Sequence, residues 1–171
     1  LLREIKKTWD PHGLFNPGKI TDTPPITENL RYPAGERRRF PGKVFDFPEE
    51  EGILYAAEKC SGSADCRKSS LIGGTMCPTF MATRDEDKST RARANILREF
   101  LTRSAKKEKF DHEEIYRVMD LCLSCKACKS ECPSNVDVAK LKAEFLQHYY
   151  DIHHVPFRAW LIAWLPRLYA P

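Results

Sequence analysis

No apolar run in this sequence reaches the ~18–20 residues that a membrane-spanning helix needs. The most apolar stretch, 157–169, is too short and is interrupted by Pro166. No membrane span is expected. The formal charge is only +4, and no basic stripe interleaves with aromatics, so nothing points to nucleic acid. Strand alternation is scarce after Glu49, which predicts a mainly α fold. The start has neither an initiator Met nor a signal-peptide pattern, and reads as a piece of a longer protein. No acid, base or nucleophile stands in a catalytic context. His12 sits in a turn, His153 and His154 read as linker residues, and His112 and His148 fall on polar faces of predicted helices.

Cysteine, by contrast, is abundant: seven in 171 residues. Such a count suggests either a disulfide framework or metal ligation. An odd number leaves one cysteine over, and four of the seven fall between positions 122 and 132, too tight for loop stapling. Metal ligation is the reading, and with it a reducing, cytoplasmic setting.

The organisation along the chain follows from punctuation and periodicity. Residues 1–9 read as a helix stopped by Asp10-Pro11 and His12-Gly13. Residues 16–48 are turn-rich, and Arg37-Arg38-Arg39 within them reads as solvated linker. Pro48 and the acids 49–51 predict a helix start, with Ile53, Leu54 and Ala57 facing inward. Residues 61–89 are expected to be irregular. Ser89 or Thr90 caps a helix with Ile96, Leu97, Phe100 and Leu101 on one side, and Arg91, Arg93 and Arg98 as its solvated face, the alternative being that these arginines dock an acceptor or brace the cluster loops. Asp111, with Glu114 in a capping box, opens a helix that buries Ile115, Val118 and Met119 and leads into Cys122. Asp137 caps another, with Val138, Leu141, Phe145 and Tyr149 inward, and Pro156 opens a last apolar helix. Its aromatics imply cover by a downstream domain or subunit.

Cys122, Cys125, Cys128 and Cys132-Pro133 form C-x2-C-x2-C-x3-C-P, the spacing of a bacterial-type iron–sulfur motif. Three cysteines at three-residue steps wrap a loop around one corner of a [4Fe–4S] cubane, and the fourth ligates the other cluster in two-cluster proteins. A reciprocal motif is present in degraded form. Cys60 and Cys66 keep the outer spacing, Ser63 holds the middle position, and the Cys-Pro follows later as Cys77-Pro78. Exchange of ligands then gives one site of Cys122, Cys125, Cys128 and Cys77. The second would have Cys60, Cys66 and Cys132, suited to a [3Fe–4S] cluster, to a fourth iron held by Ser63, or to no cluster. Cys132 in place of Cys77 at the first site is the simpler alternative. Lys126 and Lys129 beside the cysteines read as solvated loop lysines. A zinc-stapled structural or interaction module also remains open at this level, as does a stand-alone ferredoxin-like carrier.

The two cysteine motifs resemble those of the alpha-helical ferredoxin domain of the glycolate oxidase iron–sulfur subunit. Residues 76–80 (MCPTF), 82–86 (ATRDE), 89–94 (STRARA) and 141–145 (LKAEF) look like the corresponding stretches in fused flavin/iron–sulfur dehydrogenases. Residues 9–20 (WDPHGLFNPGKI) look like the closing segment of the FAD-linked oxidase C-terminal domain. That resemblance makes Asn16 an expected flavin contact and argues against the stand-alone carrier. Together the matches imply an FAD-linked D-2-hydroxy acid dehydrogenase of the D-lactate or D-2-hydroxyglutarate type with an upstream FAD domain in the same chain. An electron acceptor would follow, through which the protein would sit peripheral to the inner membrane. The expected layout is an oxidase-domain tail at 1–22, a Pro-rich linker at 23–48, the helical ferredoxin domain at 49–155, and a helix at 156–171 leading onward.

Overall fold

The computed structural model describes residues 1–33 and 35–169, all helix, turn and loop, with no strand among them. The chain divides into two compact units, Leu1–Arg38 and Arg39–Pro171.

In the first unit α1 spans Leu2–Trp9. Asp10 ends it and is itself buried, accepting from the backbone N–H groups of Leu14 (2.8 Å) and Phe15 (2.9 Å) and from Lys6 Nζ (2.5 Å). The Lys6 contact holds the Asp10 carboxyl below its ordinary range. The turn that follows is thus fixed by one carboxylate.

The second unit holds α2 (Ile53–Glu58), α3 (Pro78–Thr83), α4 (Thr90–Arg103), α5 (Glu113–Asp120), α6 (Ala127–Glu131), α7 (Val138–Ile152) and α8 (Phe157–Tyr169). The core lies where α2 and α7 pack on α4, with α5 closing it. Ala94, Leu97 and Leu101 recur at helical spacing on α4 and are fully buried. They meet Ile53, Leu54, Ile115, Met119, Leu141 and Phe145 in one cluster. Each such Leu, Ile or Phe contributes roughly 1.5–3 kcal/mol of burial. Ser89 caps α4 by accepting from Ala92 N–H (3.0 Å), and Asp137 caps α7 by accepting from Lys140 N–H (3.0 Å). Among the described residues no helix is long and apolar enough to cross a membrane.

Several local expectations are corrected. The helix after Pro48 begins at Ile53, because Glu51 (φ 57°) and Gly52 (φ 132°) turn the backbone first. Gly52 is needed there, since a Cβ would lie 3.0 Å from Phe40 O. Residues 61–89 are more ordered than expected and contain two one-turn 3-10 helices as well as α3. The residue at the α5 cap position is His112, not Asp111. Asp111 is drawn instead to His153 Nε2 (2.6 Å), while His112 Nε2 lies 2.7 Å from Ser104 Oγ with its ring edge-on to Phe100. His112 and His148 are buried, not on polar faces. Arg93 is not on a solvated face either: it is 2% exposed.

Residues 40–47 pack on the helical unit. Phe47 is buried, Phe40 meets the Phe110 ring edge-on, and Glu144 of α7 accepts from the N–H groups of Lys43 (2.5 Å), Val44 (3.1 Å) and Phe45 (3.0 Å). α8 stands apart: Phe157, Trp160, Leu161, Ile162, Trp164, Leu165 and Leu168 are all exposed.

Candidate metal centre

All seven cysteines are unpaired. Four of them, Cys77, Cys122, Cys125 and Cys128, line a single cavity with about 310 Å³ of space, part of it open to solvent. Cys132 is not among its lining residues.

The backbone brings these thiols together. Cys77 takes a left-handed conformation (φ 59°) directly before Pro78, the first residue of α3. Proline pre-sets the helical φ there, and the left-handed turn ahead of it costs on the order of 1–3 kcal/mol for a non-glycine residue. The 122–128 loop wraps by two further left-handed residues, Ser124 (φ 54°) and Lys126 (φ 61°). The Cys60–Cys66 loop uses left-handed backbone at the same two offsets, Gly62 (φ 79°) and Ala64 (φ 66°). It then enters a short helix at Asp65, as the later loop enters α6 at Ala127. The earlier loop therefore keeps the backbone of the later one although Ser63 stands in the middle position. The Ser63 hydroxyl helps, after Lys68, to hold the Asp65 carboxyl below its ordinary range.

Cys60, Cys66 and Cys132 are not among the residues that line this cavity. Cys66 is close enough to Cys60 and Cys77 to feel both. Ser61 Oγ and Ser134 Oγ are 2.8 Å apart, so the loop after Cys60 lies against the loop after Cys132. No shared cavity for these three is delineated among the described residues.

The electrostatics suit bound anions. Arg91 N–H, at the start of α4, points to Cys66 Sγ at 3.4 Å. Val138 and Ala139 N–H, at the start of α7, act on Cys128. Both sulfurs thus face helix N-termini, where negative charge is favoured. Burial nonetheless pushes both thiols up, and a bound metal would have to displace their protons. Arg93 Nη1 lies 3.6 Å from Cys77 Sγ. Lys142 Nζ donates to the carbonyls of Cys122 (2.8 Å) and Asp120 (3.1 Å), and burial pulls its pKa down. Lys126 and Lys129 are more than half exposed and only approach Asp137, at 4.0 and 3.9 Å.

The donor set fits a polynuclear centre. Around one zinc ion, bonds of about 2.3 Å draw all four sulfurs to a common point. Four thiols lining one cavity are the donor set of a cluster that takes one sulfur at each of four irons.

Residues 59–137 match the family pattern of the 4Fe-4S dicluster domain. The chain carries an iron–sulfur domain of this type. Across most of its length it is also similar to curated relatives. It is 29% identical over 94% of its length to a D-2-hydroxyglutarate dehydrogenase of Pseudomonas putida. The identity is 28% over 99% of its length to a D-2-hydroxyglutarate dehydrogenase of Escherichia coli. The chain covers only 19% and 20% of these two proteins. It thus spans about a fifth of the relatives it matches. No solved structure matches.

Asn16, the expected flavin contact, lies in the first unit in a left-handed turn (φ 45°), its carbonyl accepting from Lys19 N–H at 3.3 Å. It borders a groove with Leu2, Ile5, Trp9, Phe15 and Ile20. Reasoning from sequence missed Glu131 and Glu144 and set Arg93 on a solvated face. For Arg93 and Glu144 the only signal was a charged residue at a position the helical period turns inward.

Proposed function

We propose that this chain is the iron–sulfur electron-transfer segment of an FAD-dependent 2-hydroxy acid dehydrogenase. It would accept electrons from a flavin held by the rest of the protein and pass them to an acceptor. The observation that carries this reading is the convergence of Cys77 with Cys122, Cys125 and Cys128 on one cavity. The similarity to D-2-hydroxyglutarate dehydrogenases favours D-2-hydroxyglutarate as the acid oxidised. Asn16 is the candidate flavin contact in the first unit, and the layout 1–22, 23–48, 49–155 and 156–171 follows the same resemblance.

A bound [4Fe–4S] cluster supplies one-electron transfer at a potential set by its surroundings. Cys77, Cys122, Cys125 and Cys128 would hold it, with the left-handed residues of the 122–128 loop directing the thiolates inward. Cys60, Cys66 and Cys132 are the proposed ligands of a second, three-thiolate site of the [3Fe–4S] kind. The shared left-handed backbone of the two loops supports that site, and the commitment of Ser63 to Asp65 argues against a serine ligand there. The bare apolar surface of α8 suits cover by another domain or subunit.

Anaerobic iron and acid-labile sulfide analysis with EPR is the test. The expected result is brown protein, bleached by dithionite, with at least about four irons per chain. Colourless protein carrying one or two zinc ions would mean a structural zinc module instead.

A further inference from the structure

Arg93 is the largest fully buried side chain among the described residues, and it is a cation. Its Nε donates to Val118 O (3.0 Å), Nη2 to Thr79 Oγ1 (3.2 Å) and Nη1 to Cys77 Sγ (3.6 Å). Every one of these acceptors is uncharged while Cys77 is a thiol, and among the described residues no carboxylate pairs with the guanidinium. Lys142, a second cation, approaches the same loop through the carbonyl of Cys122. A buried charge without a counter-charge is strongly unfavourable, and a guanidinium cannot escape by deprotonating. The arrangement lacks an anion, and the cysteine cavity that Arg93 lines is where that anion belongs.

We propose that Arg93 is the fixed counter-cation of the four-cysteine centre and raises its reduction potential through the Nη1–H···Sγ bond to Cys77. This rests on Cys77, Cys122, Cys125 and Cys128 being the cluster ligands. One-electron reduction adds one negative charge to the centre and moves no proton. A buried positive charge in contact with a ligand sulfur favours that reduced form. The charge is the same at every working pH, so the effect does not titrate.

The test is an anaerobic redox titration followed by EPR on the intact protein. The signal of the four-cysteine centre is identified as the one absent in Cys125→Ala. In Arg93→Met the ratio of oxidised to reduced centre, read at the wild-type midpoint, rises tenfold or more, equivalent to a midpoint lower by about 59 mV. Arg93→Lys keeps the charge and stays within threefold of wild type. An Arg93→Met centre with wild-type iron content and a midpoint within threefold of wild type overturns the proposal. If Arg93→Met does not load iron at this site, Arg93→Lys decides: loading at the wild-type potential supports the charge role, and failure to load overturns it. Wild-type protein without iron and sulfide overturns the cluster reading itself, and this inference with it. A wild-type cluster that is indifferent to Arg93→Met overturns this inference alone.

Discussion

Glu131 stands on α6 between Cys128 and Cys132, yet its carboxylate reaches across to the segment before Cys77. It accepts from Thr75 N–H (2.7 Å), Thr75 Oγ1 (2.6 Å) and Met76 N–H (3.1 Å). Those contacts, Thr75 foremost, hold its carboxyl below the ordinary glutamate range. Gly74 makes the approach feasible, because a Cβ there would lie 2.6 Å from Glu131 Oε2. The clamp fixes Cys77 against the loop that carries the other three thiols. Glu131→Gln should therefore leave far-UV circular dichroism unchanged while iron is lost to a chelator roughly tenfold faster, the usual scale for a residue supporting a metal ligand. An unchanged bleaching rate would show that Cys77 is held by other means. Glu144 plays the corresponding part for residues 43–45. Burial alone would push its carboxyl up, but the N–H groups of Lys43, Phe45 and Val44, with His148 3.2 Å away, hold it below the ordinary value. A carboxyl lowered in the folded state contributes stability above its unfolded pKa of about 4.3, and loses it as pH falls through the lower folded value. Denaturant midpoints should thus fall from about pH 4.3 downward in wild type. In Glu144→Gln they should be lower at neutral pH, by roughly 1.5–3 kcal/mol, and flatter across that acidic window. Neither clamp was legible in the sequence, because each joins residues far apart in the chain. Glu144 sits between Leu141 and Phe145 on a face whose apolar members alone were counted.

At the scale of elements, the helices that could be read were those whose start signal is local. Ser89 and Asp137 each cap within three residues, and α4 and α7 begin where they say. α2 and α5 could not be read this way. The turn at Glu51–Gly52 answers to Phe40, and Asp111 is diverted by His153, both tertiary effects. Helix α4 also serves the site directly, since its first turns carry Arg91 N–H toward Cys66 and Arg93 toward Cys77. Ser89→Ala should cost about 1 kcal/mol, read as a lower denaturant midpoint. The effect should be accompanied by weaker retention of iron at the Cys60–Cys66 loop than at the 122–128 loop. An equal loss at both would mean that α4 supports the two sites alike.

For the whole molecule, the question is how two cysteine runs far apart in sequence would share ligands in the proposed arrangement. The C-x2-C-x2-C-x3-C-P spacing made three members of the cavity plain, and the Cys-Pro rule proposed Cys77 as the fourth. What spacing could not supply is the path that carries Cys77 there: the Glu131 clamp, the left-handed turn before Pro78 and the Arg93 contact. Cys132 is not among the cavity's lining residues, and Ser134, two residues on, meets Ser61. Exchange of the kind proposed would tie the two halves of the unit through metal as well as through packing. Removing one exchanged ligand then affects the centre distant in sequence and spares the neighbouring one. Cys77→Ala should abolish the EPR signal that Cys125→Ala abolishes and leave the three-thiolate signal in place. Cys132→Ala should do the reverse, matching Cys60→Ala. Both variants should keep their helical circular dichroism, since neither side chain is part of a cap hydrogen bond. If Cys132→Ala instead removes the Cys125-dependent signal while Cys77→Ala spares it, each run binds its own cluster, and the cavity shared by Cys77 with the later loop has only a structural meaning.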